Sequence, residues 1–217
     1  MIQAIFFDVD GTLVSFRTHT IPASTLEALH TLRAKGIKLF LATGRHQAML
    51  RSVQELFPFD GCVTLSGQYC FVGDRVPRQF IQDLYIPMPP VRPARYALGR
   101  EIYQAVTFLS REQEHLLLDR APHLKTTRWH PNFLDVIPPT GGKDLGMDAI
   151  LDHFGIPLEN CMAFGDGEND LSMLIHAGIG VAMGTASGAV KAQADYTAPS
   201  VDEDGIARTL SHLGLLP

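Results

Sequence analysis

Residues 2–7, IQAIFF, are a nearly continuous apolar run of strand length, and the run stops at two aspartates one residue apart, Asp8 and Asp10. An unbroken apolar run predicts a strand covered on both faces, as in a parallel sheet. The next sixty residues have the matching rhythm. Leu26, Leu29 and Leu32 recur at helical spacing over 22–34, with Pro22 in the first turn and Gly36 as the stop. IKLFLA (37–42) is a second buried-type strand, 46–57 a helix ended by Pro58, and CVTLS (62–66) a third strand. The order βαβαβ predicts a doubly wound α/β arrangement.

The rhythm resumes at residue 143. Helices are expected over 143–154, 169–177, 186–194 and 203–213, and strands over 161–166, 178–183 and 195–198. Between the halves a proline cluster at 77–93 forms no periodic element. YQAVTFL (103–109) and NFLDVIP (132–138) read as strands, and 110–121 as a helix capped by Ser110. The expected architecture is a doubly wound, Rossmann-like parallel-sheet core from 1–74 and 142–217. A small α+β cap, 75–141, is inserted into it.

Composition narrows the class. The 217 residues are 46% hydrophobic and 19% charged, which is ordinary globular usage rather than a disordered tail. A net charge of −5 argues against nucleic acid and anionic membranes as partners. No signal segment and no membrane-length apolar run is evident, and three scattered cysteines suit a reducing compartment. The expectation is a soluble cytoplasmic protein, monomeric or homodimeric.

Four polar stretches lie where expected strands end or helices begin, the edge at which open parallel sheets bind ligands. In Asp8-Val9-Asp10-Gly11-Thr12 the two carboxylates are i and i+2 on extended chain, so they share a side and need a proton or a cation between them. Thr43-Gly44-Arg45 offers a hydroxyl and a glycine-exposed amide for an oxyanion, although a helix N-cap would look the same. Lys143 follows Gly141-Gly142 without Walker spacing, since position 137 is Ile. It is a single ammonium. Gly165-Asp166-Gly167-Glu168-Asn169-Asp170 half-fits a dinucleotide turn, but its acids would repel a pyrophosphate and suit a divalent cation. Few hard oxygen ligands favour Mg²⁺. Together these groups suit phosphoryl transfer, with one carboxylate as nucleophile and the other trading a proton.

DVDGT, TGR, Lys143 and GDGEND resemble, in this order, the four motifs of the haloacid dehalogenase-like phosphatases. FLDVIPPTGGKDLGMDAIL and AGIGVAMGTASGAVKAQADYTAPSVDEDGIA are similar to the Cof-type branch, whose α+β cap lies between motifs two and three. The resemblance implies a Mg²⁺-dependent phosphomonoesterase acting on small phosphorylated metabolites: sugar phosphates, or cofactor phosphates such as pyridoxal phosphate and flavin mononucleotide. It implies Asp8 as the phosphorylated nucleophile and Asp10 as acid/base and main-chain metal ligand. Asp166 would be the third metal ligand, beside Asp8 and Asp10, and Asp170 a support of the metal site. Thr43 and Gly44 would hold phosphate, Asn169 would contact phosphate or orient the lysine, and Lys143 would balance charge. Three departures stand out. Ser66 and Thr185 replace asparagines usual in relatives, and the inserted segment is short around 80–100.

A phosphomutase on the same fold is the alternative, and a relic binding protein a more distant one, because every motif residue is retained. The stretch Arg128, Trp129, His130, Asn132 and Phe133 could face the leaving group or simply turn between two strands. Nine scattered histidines show no metal spacing, and Ser15 and Ser66 lack a His-Asp relay.

Overall fold

The computed structural model describes residues 1–73, 97–130 and 133–217. The proline cluster and Asn132 lie outside the described residues, as do the side chains of Trp129 and His130.

The apolar run forms β1 (Ala4–Phe7), and it takes the middle of a seven-stranded sheet. On one side lie β2 (Lys38–Ala42), β3 (Gly61–Thr64) and β4 (Tyr69–Val72). On the other lie three strands from the last third of the chain, Cys161–Gly165, Ile179–Ala182 and Tyr196–Thr197. All pairings are parallel except β3 with β4. The chain therefore builds outward from β1 in one direction and later returns to build in the other. The reversal point lies between β1 and Cys161–Gly165.

Strand alternation divides β1 between two cores. Ile5 and Phe7 join the core beneath helix α1 (Ala23–Ala34), and Phe7 stacks on Phe164 at 5.3 Å. Ala4 and Phe6 join the core on the opposite face, where Phe6 stacks on Phe40 at 4.8 Å. Full burial of each such ring is worth about 1.5–3 kcal/mol. This double covering makes the β1 backbone rigid up to the residue before Asp8.

A second, three-stranded antiparallel sheet comes from the middle of the chain. It comprises β5 (Ala105–Thr107), β6 (Lys125–His130) and β7 (Phe133–Ile137), with β7 central. Helix α3 (Glu114–Leu118) follows a 3₁₀ turn at Arg111–Gln113. The expected helix at 110–121 is thus shorter and tightly wound at its start, where the Gln113 side chain accepts from the Ser110 amide at 3.1 Å.

Other differences from the expected elements have local causes. The strand expected over 62–66 ends at Thr64, because Leu65, Ser66 and Gly67 all have positive φ (50°, 52° and 92°). That left-handed run turns the chain back as β4, an edge strand that apolar pattern alone does not announce. The helix expected over 46–57 begins as a 3₁₀ turn, Gln47–Leu50, before α2 (Arg51–Leu56). The Met49 carbonyl inside it accepts from the Arg45 guanidinium at 3.2 Å. The helix expected over 169–177 likewise opens as a 3₁₀ turn, Glu168–Asp170, wound around the Asp170 carboxylate. No helix among the described residues is long and apolar enough to cross a membrane.

Candidate active site

Each of the four polar stretches leaves the sheet at the same edge. Asp8 follows β1, Thr43 follows β2, Asp166 follows strand Cys161–Gly165, and Lys143 opens helix α4 (Lys143–Phe154). The Asp8 amide donates to Phe164 O at 2.9 Å, which pins two of these strand ends side by side.

The floor of the site is a buried ion network. Lys143 Nζ donates to Asp8 Oδ1 at 2.6 Å and to Asp170 Oδ1 at 2.5 Å. All three residues are buried, Lys143 with 1% of its surface exposed and Asp170 with none. Asp170 has no spare oxygen: its Oδ2 accepts the amides of Asp166 (3.0 Å) and Gly167 (2.9 Å). It therefore shapes the loop that carries Asp166 while it holds the lysine. Asp8 gives one oxygen to Lys143, and its Oδ2 has no hydrogen bond among the described residues.

Electrostatics follow from this crowding. Burial, then the neighbouring Asp170, raises the Asp8 carboxyl well above the ordinary carboxylate range, against the pull of Lys143. Asp166 is pushed up to about 7, first by burial and then by Asp170. For Lys143 burial works against the ammonium, but Asp170 and Asp8 outweigh it and drive its pKa up. The network holds more negative charge than one ammonium cancels.

A carboxylate oxygen from each of Asp8, Asp166 and Asp170 lies within 4.8 Å of the others. With both Asp170 oxygens engaged, Asp8 and Asp166 are the carboxylate donors left, and these hard oxygens with an excess of negative charge fit Mg²⁺. Thr12 Oγ1 donates to Asp166 Oδ1 at 3.3 Å and orients it. Gly11, with φ +81°, lets the loop after β1 pass against Asp166, where a Cβ would strike the carboxylate.

Asp10 is placed differently from Asp8. Its carboxylate meets Arg45, with Nε to Oδ2 at 2.8 Å and Nη2 to Oδ1 at 2.5 Å. The hydrogen bond to Asp10 raises the Arg45 pKa further. The two carboxylates of the DVD run thus have separate cationic partners, Lys143 for Asp8 and Arg45 for Asp10. The TGR stretch contains Arg45, but only tertiary contact reveals its partner 35 residues earlier.

These groups surround a cavity of about 500 Å³. Asp8, Asp10, Thr43, Gly44, Asp166 and Asn169 line its core side. Thr43 is buried, and its Oγ1 accepts from the Arg45 amide at 3.1 Å, leaving the hydroxyl proton for a ligand. Val106, Phe133 and Asp135 of the three-stranded sheet, with Gln104 just before β5, line another wall. Strand alternation explains two of them: Phe133 and Asp135 share one face of β7, and Asp135 pairs with Val106 in register. Arg128 is held within that sheet, donating to the carbonyls of Leu109 (3.0 Å) and Phe133 (3.3 Å) and to Glu114 (3.3 Å). From the stretch Arg128–Phe133 the described cavity wall receives Phe133. Arg111 reaches across to Glu168 at 2.6 Å and joins the second sheet's helix to the 3₁₀ turn beside Asp166.

The sequence matches the family described as haloacid dehalogenase-like hydrolase over residues 5–92 and 79–210. Its structure is similar to that of a haloacid dehalogenase subclass IIB sugar phosphatase, with TM-score 0.90 and 39% identity over 99% of this chain and 100% of that one. YkrA of Bacillus subtilis, provisionally named a phosphatase, is 29% identical over 255 residues, covering 99% of this chain and 98% of that protein. A Streptococcus pyogenes protein, provisionally named a bifunctional phosphatase/peptidyl-prolyl cis-trans isomerase, is 31% identical over 259 residues. This chain spans 54% of it, about half its length, and 99% of this chain is matched. Both alignments are longer than this chain of 217 residues, so those relatives carry residues within the matched region that this chain lacks.

Proposed function

The chain belongs to the haloacid dehalogenase-like hydrolases, in their Cof-type phosphatase branch, and from that premise we propose that it is a Mg²⁺-dependent phosphomonoesterase of small phosphorylated metabolites. The observation that carries the reading is the network in which Lys143 bridges Asp8 and Asp170 at the floor of the cavity. It leaves one oxygen of a rigidly held carboxylate to act as nucleophile.

The substrate phosphate would sit among the Thr43 hydroxyl, the Gly44 amide, Asn169 and Lys143. Asp8 Oδ2 attacks phosphorus in line with the leaving oxygen, and an aspartyl phosphate forms. Asp10 gives its proton to the departing alcohol. In the second half Asp10 takes a proton from water as the water oxygen bonds to phosphorus and the bond to Asp8 breaks. Lys143 stays against the nucleophile throughout and offsets charge gathering on the equatorial oxygens. Asp8 and Asp166, with the Asp10 carbonyl, would hold the Mg²⁺, and Asp170 would fix their loop. When bound, that ion supplies neutralising charge to the carboxylates and to the phosphoryl oxygens.

The segment 75–141 acts as a cap in this reading. Its described residues Gln104, Val106, Phe133 and Asp135 wall the cavity and would help exclude water while the leaving group is present. Sugar phosphates lead among the substrates because the structural relative at 39% identity is a sugar phosphatase. The three free cysteines support a reducing, cytoplasmic setting.

p-Nitrophenyl phosphate turnover with and without Mg²⁺ tests the reading directly. Release of p-nitrophenolate should require the ion, and Asp8→Asn should cut it at least about a thousandfold while the melting temperature is retained. Full activity in that variant would reassign the nucleophile.

A further inference from the structure

Resting on that reading, we propose that Gln104 and Asp135 are specificity-determining residues, which read hydroxyl groups on the leaving group. The sheet register puts them on one wall. Asp135 of β7 is paired with Val106 of β5 on one side and with Thr127 of β6 on the other, so the three side chains form a row across one face. Gln104 stands two residues before Val106, and it lines the cavity together with Val106 and Asp135. None of these residues is assigned to phosphate or metal. They stand on the side of the cavity that is left for whatever the phosphate is attached to.

Among the described residues, Gln104 Oε1, Thr127 Oγ1 and Ser66 Oγ are buried oxygens that make no hydrogen bond. Ser66 is only 2% exposed. Such atoms are rare in a folded chain, because burial strips them of solvent, and here they mark where a polar ligand group docks. Gly44 shows where this wall meets the core. A Cβ added there would stand 3.2 Å from Asp135 Oδ2 and 3.4 Å from Ser66 Oγ. Asp135 therefore reaches the loop whose amide would hold the phosphate, and a hydroxyl that meets it lies near the ester bond. Gln104 offers a second point on the same wall, and Val106 and Phe133 supply carbon surface for the C–H groups between hydroxyls.

A hydroxyl suits both residues in every form they take. It donates to an amide or carboxylate oxygen and accepts from an amide nitrogen or a carboxyl proton. Neither a flip of the Gln104 amide nor the protonation of Asp135 changes the match. A methylene in the same place satisfies neither side chain. Sites built around a substrate hydroxyl reject the analogue lacking it far more strongly than an apolar pocket rejects the loss of a methylene.

The test is phosphate release, with Mg²⁺ present, from the terminal phosphates of ribitol, xylitol and sorbitol, each set against the n-alkyl phosphate of the same chain length. The readout is the ratio of kcat/KM within each pair, in which a general loss of activity or of folded protein cancels. The best polyol phosphate should exceed its alkyl partner by about a hundredfold or more. Gln104→Leu and Asp135→Ala should each cut that ratio about tenfold or more, and Asp135→Asn, which keeps an acceptor oxygen, should cut it less. A ratio near one for every pair in the unsubstituted protein would overturn the proposal and leave the phosphomonoesterase reading intact. A high ratio that survives a substitution would overturn the role of that residue, since the hydroxyls would then be read elsewhere. Absence of Mg²⁺-dependent release from all of these esters and from p-nitrophenyl phosphate would overturn the phosphomonoesterase reading and this proposal with it.

Discussion

The buried floor of the site and its exposed rim both join distant parts of the chain by ion pairs, yet they differ in what each pair can do. At the floor, Lys143 is 1% exposed and touches two carboxylates, and the second oxygen of one of them, Asp170, is fixed by two backbone amides. At the rim, Arg111 is 65% exposed and meets Glu168 with 37% exposure. The distances are nearly equal, 2.6 Å from Lys143 to Asp8 and 2.6 Å from Arg111 to Glu168. Burial therefore decides the difference. Water and salt screen the outer pair and compete for it, while the inner pair has no alternative partner. The inner pair sets geometry, and the outer one adds little to it.

Removing the floor cation should give the largest effect. Lys143→Ala leaves Asp8 and Asp170 buried without their ammonium, and breaking a buried pair in this way costs about 3–5 kcal/mol. Urea denaturation should show that loss, and p-nitrophenyl phosphate turnover should fall at least about a hundredfold. A variant that kept both stability and rate would erase the contrast between floor and rim.

Gly11→Ala attacks the floor from below. The left-handed φ costs a non-glycine residue about 1–2 kcal/mol, and the added methyl strikes Asp166. Midpoint shifts in urea should exceed that strain alone, and the Mg²⁺ concentration giving half-maximal activity should rise severalfold. Retention of the original Mg²⁺ dependence would show that the Asp166 loop can move aside.

The pH dependence of the metal-free protein is the next smaller effect. An unfolded aspartate ionises near pH 4, about 3.9. Asp166 in the folded chain ionises at about 7. Between these values the folded state keeps a proton that the unfolded state has released. Stability therefore falls as pH rises through this window. Thermal melts in EDTA from pH 5 to 7.5 should show the decline, and Mg²⁺ should reduce it by favouring the ionised site. A melting temperature that rises across the window in EDTA would contradict the crowding assigned to the floor.

The rim should yield least. Arg111→Ala should leave the melting temperature within error and raise KM by no more than about threefold, with wild-type KM drifting the same way as salt screens the pair. A collapse of activity would mean that the exposed pair governs closure more strongly than its solvation suggests.

Much of the site was legible in the residues because it is local. IFF followed by DVDGT declares a buried strand and what stands at its end within ten residues, and GDGEND places Asp166 and Asp170 on one turn. The helix start expected at 143 fell there, and the one expected at 22 came one residue later, at Ala23. What could not be read depends on which distant groups meet. Arg45 lies beside Thr43 in sequence, but its partner Asp10 is brought up by the parallel pairing of β1 with β2. The edge strand Tyr69–Val72 depends on left-handed conformations at Leu65 and Ser66, which neither residue type favours. The cavity wall from Gln104, Val106 and Asp135 likewise exists only once two sheets face each other.

The order of the strands has a consequence for biosynthesis. Asp8 and Lys143 are 135 residues apart in the chain, and β1 is flanked on one side by Cys161–Gly165. At a translation rate of about 5–20 residues per second, the first strand waits roughly 7–30 seconds for its lysine and slightly longer for its second neighbour. Over that interval a strand that will be fully buried has an open hydrogen-bonding edge, and the carboxylate after it lacks the ammonium it will be buried with. The site therefore cannot be completed until Lys143, Asp166 and Asp170 have left the ribosome.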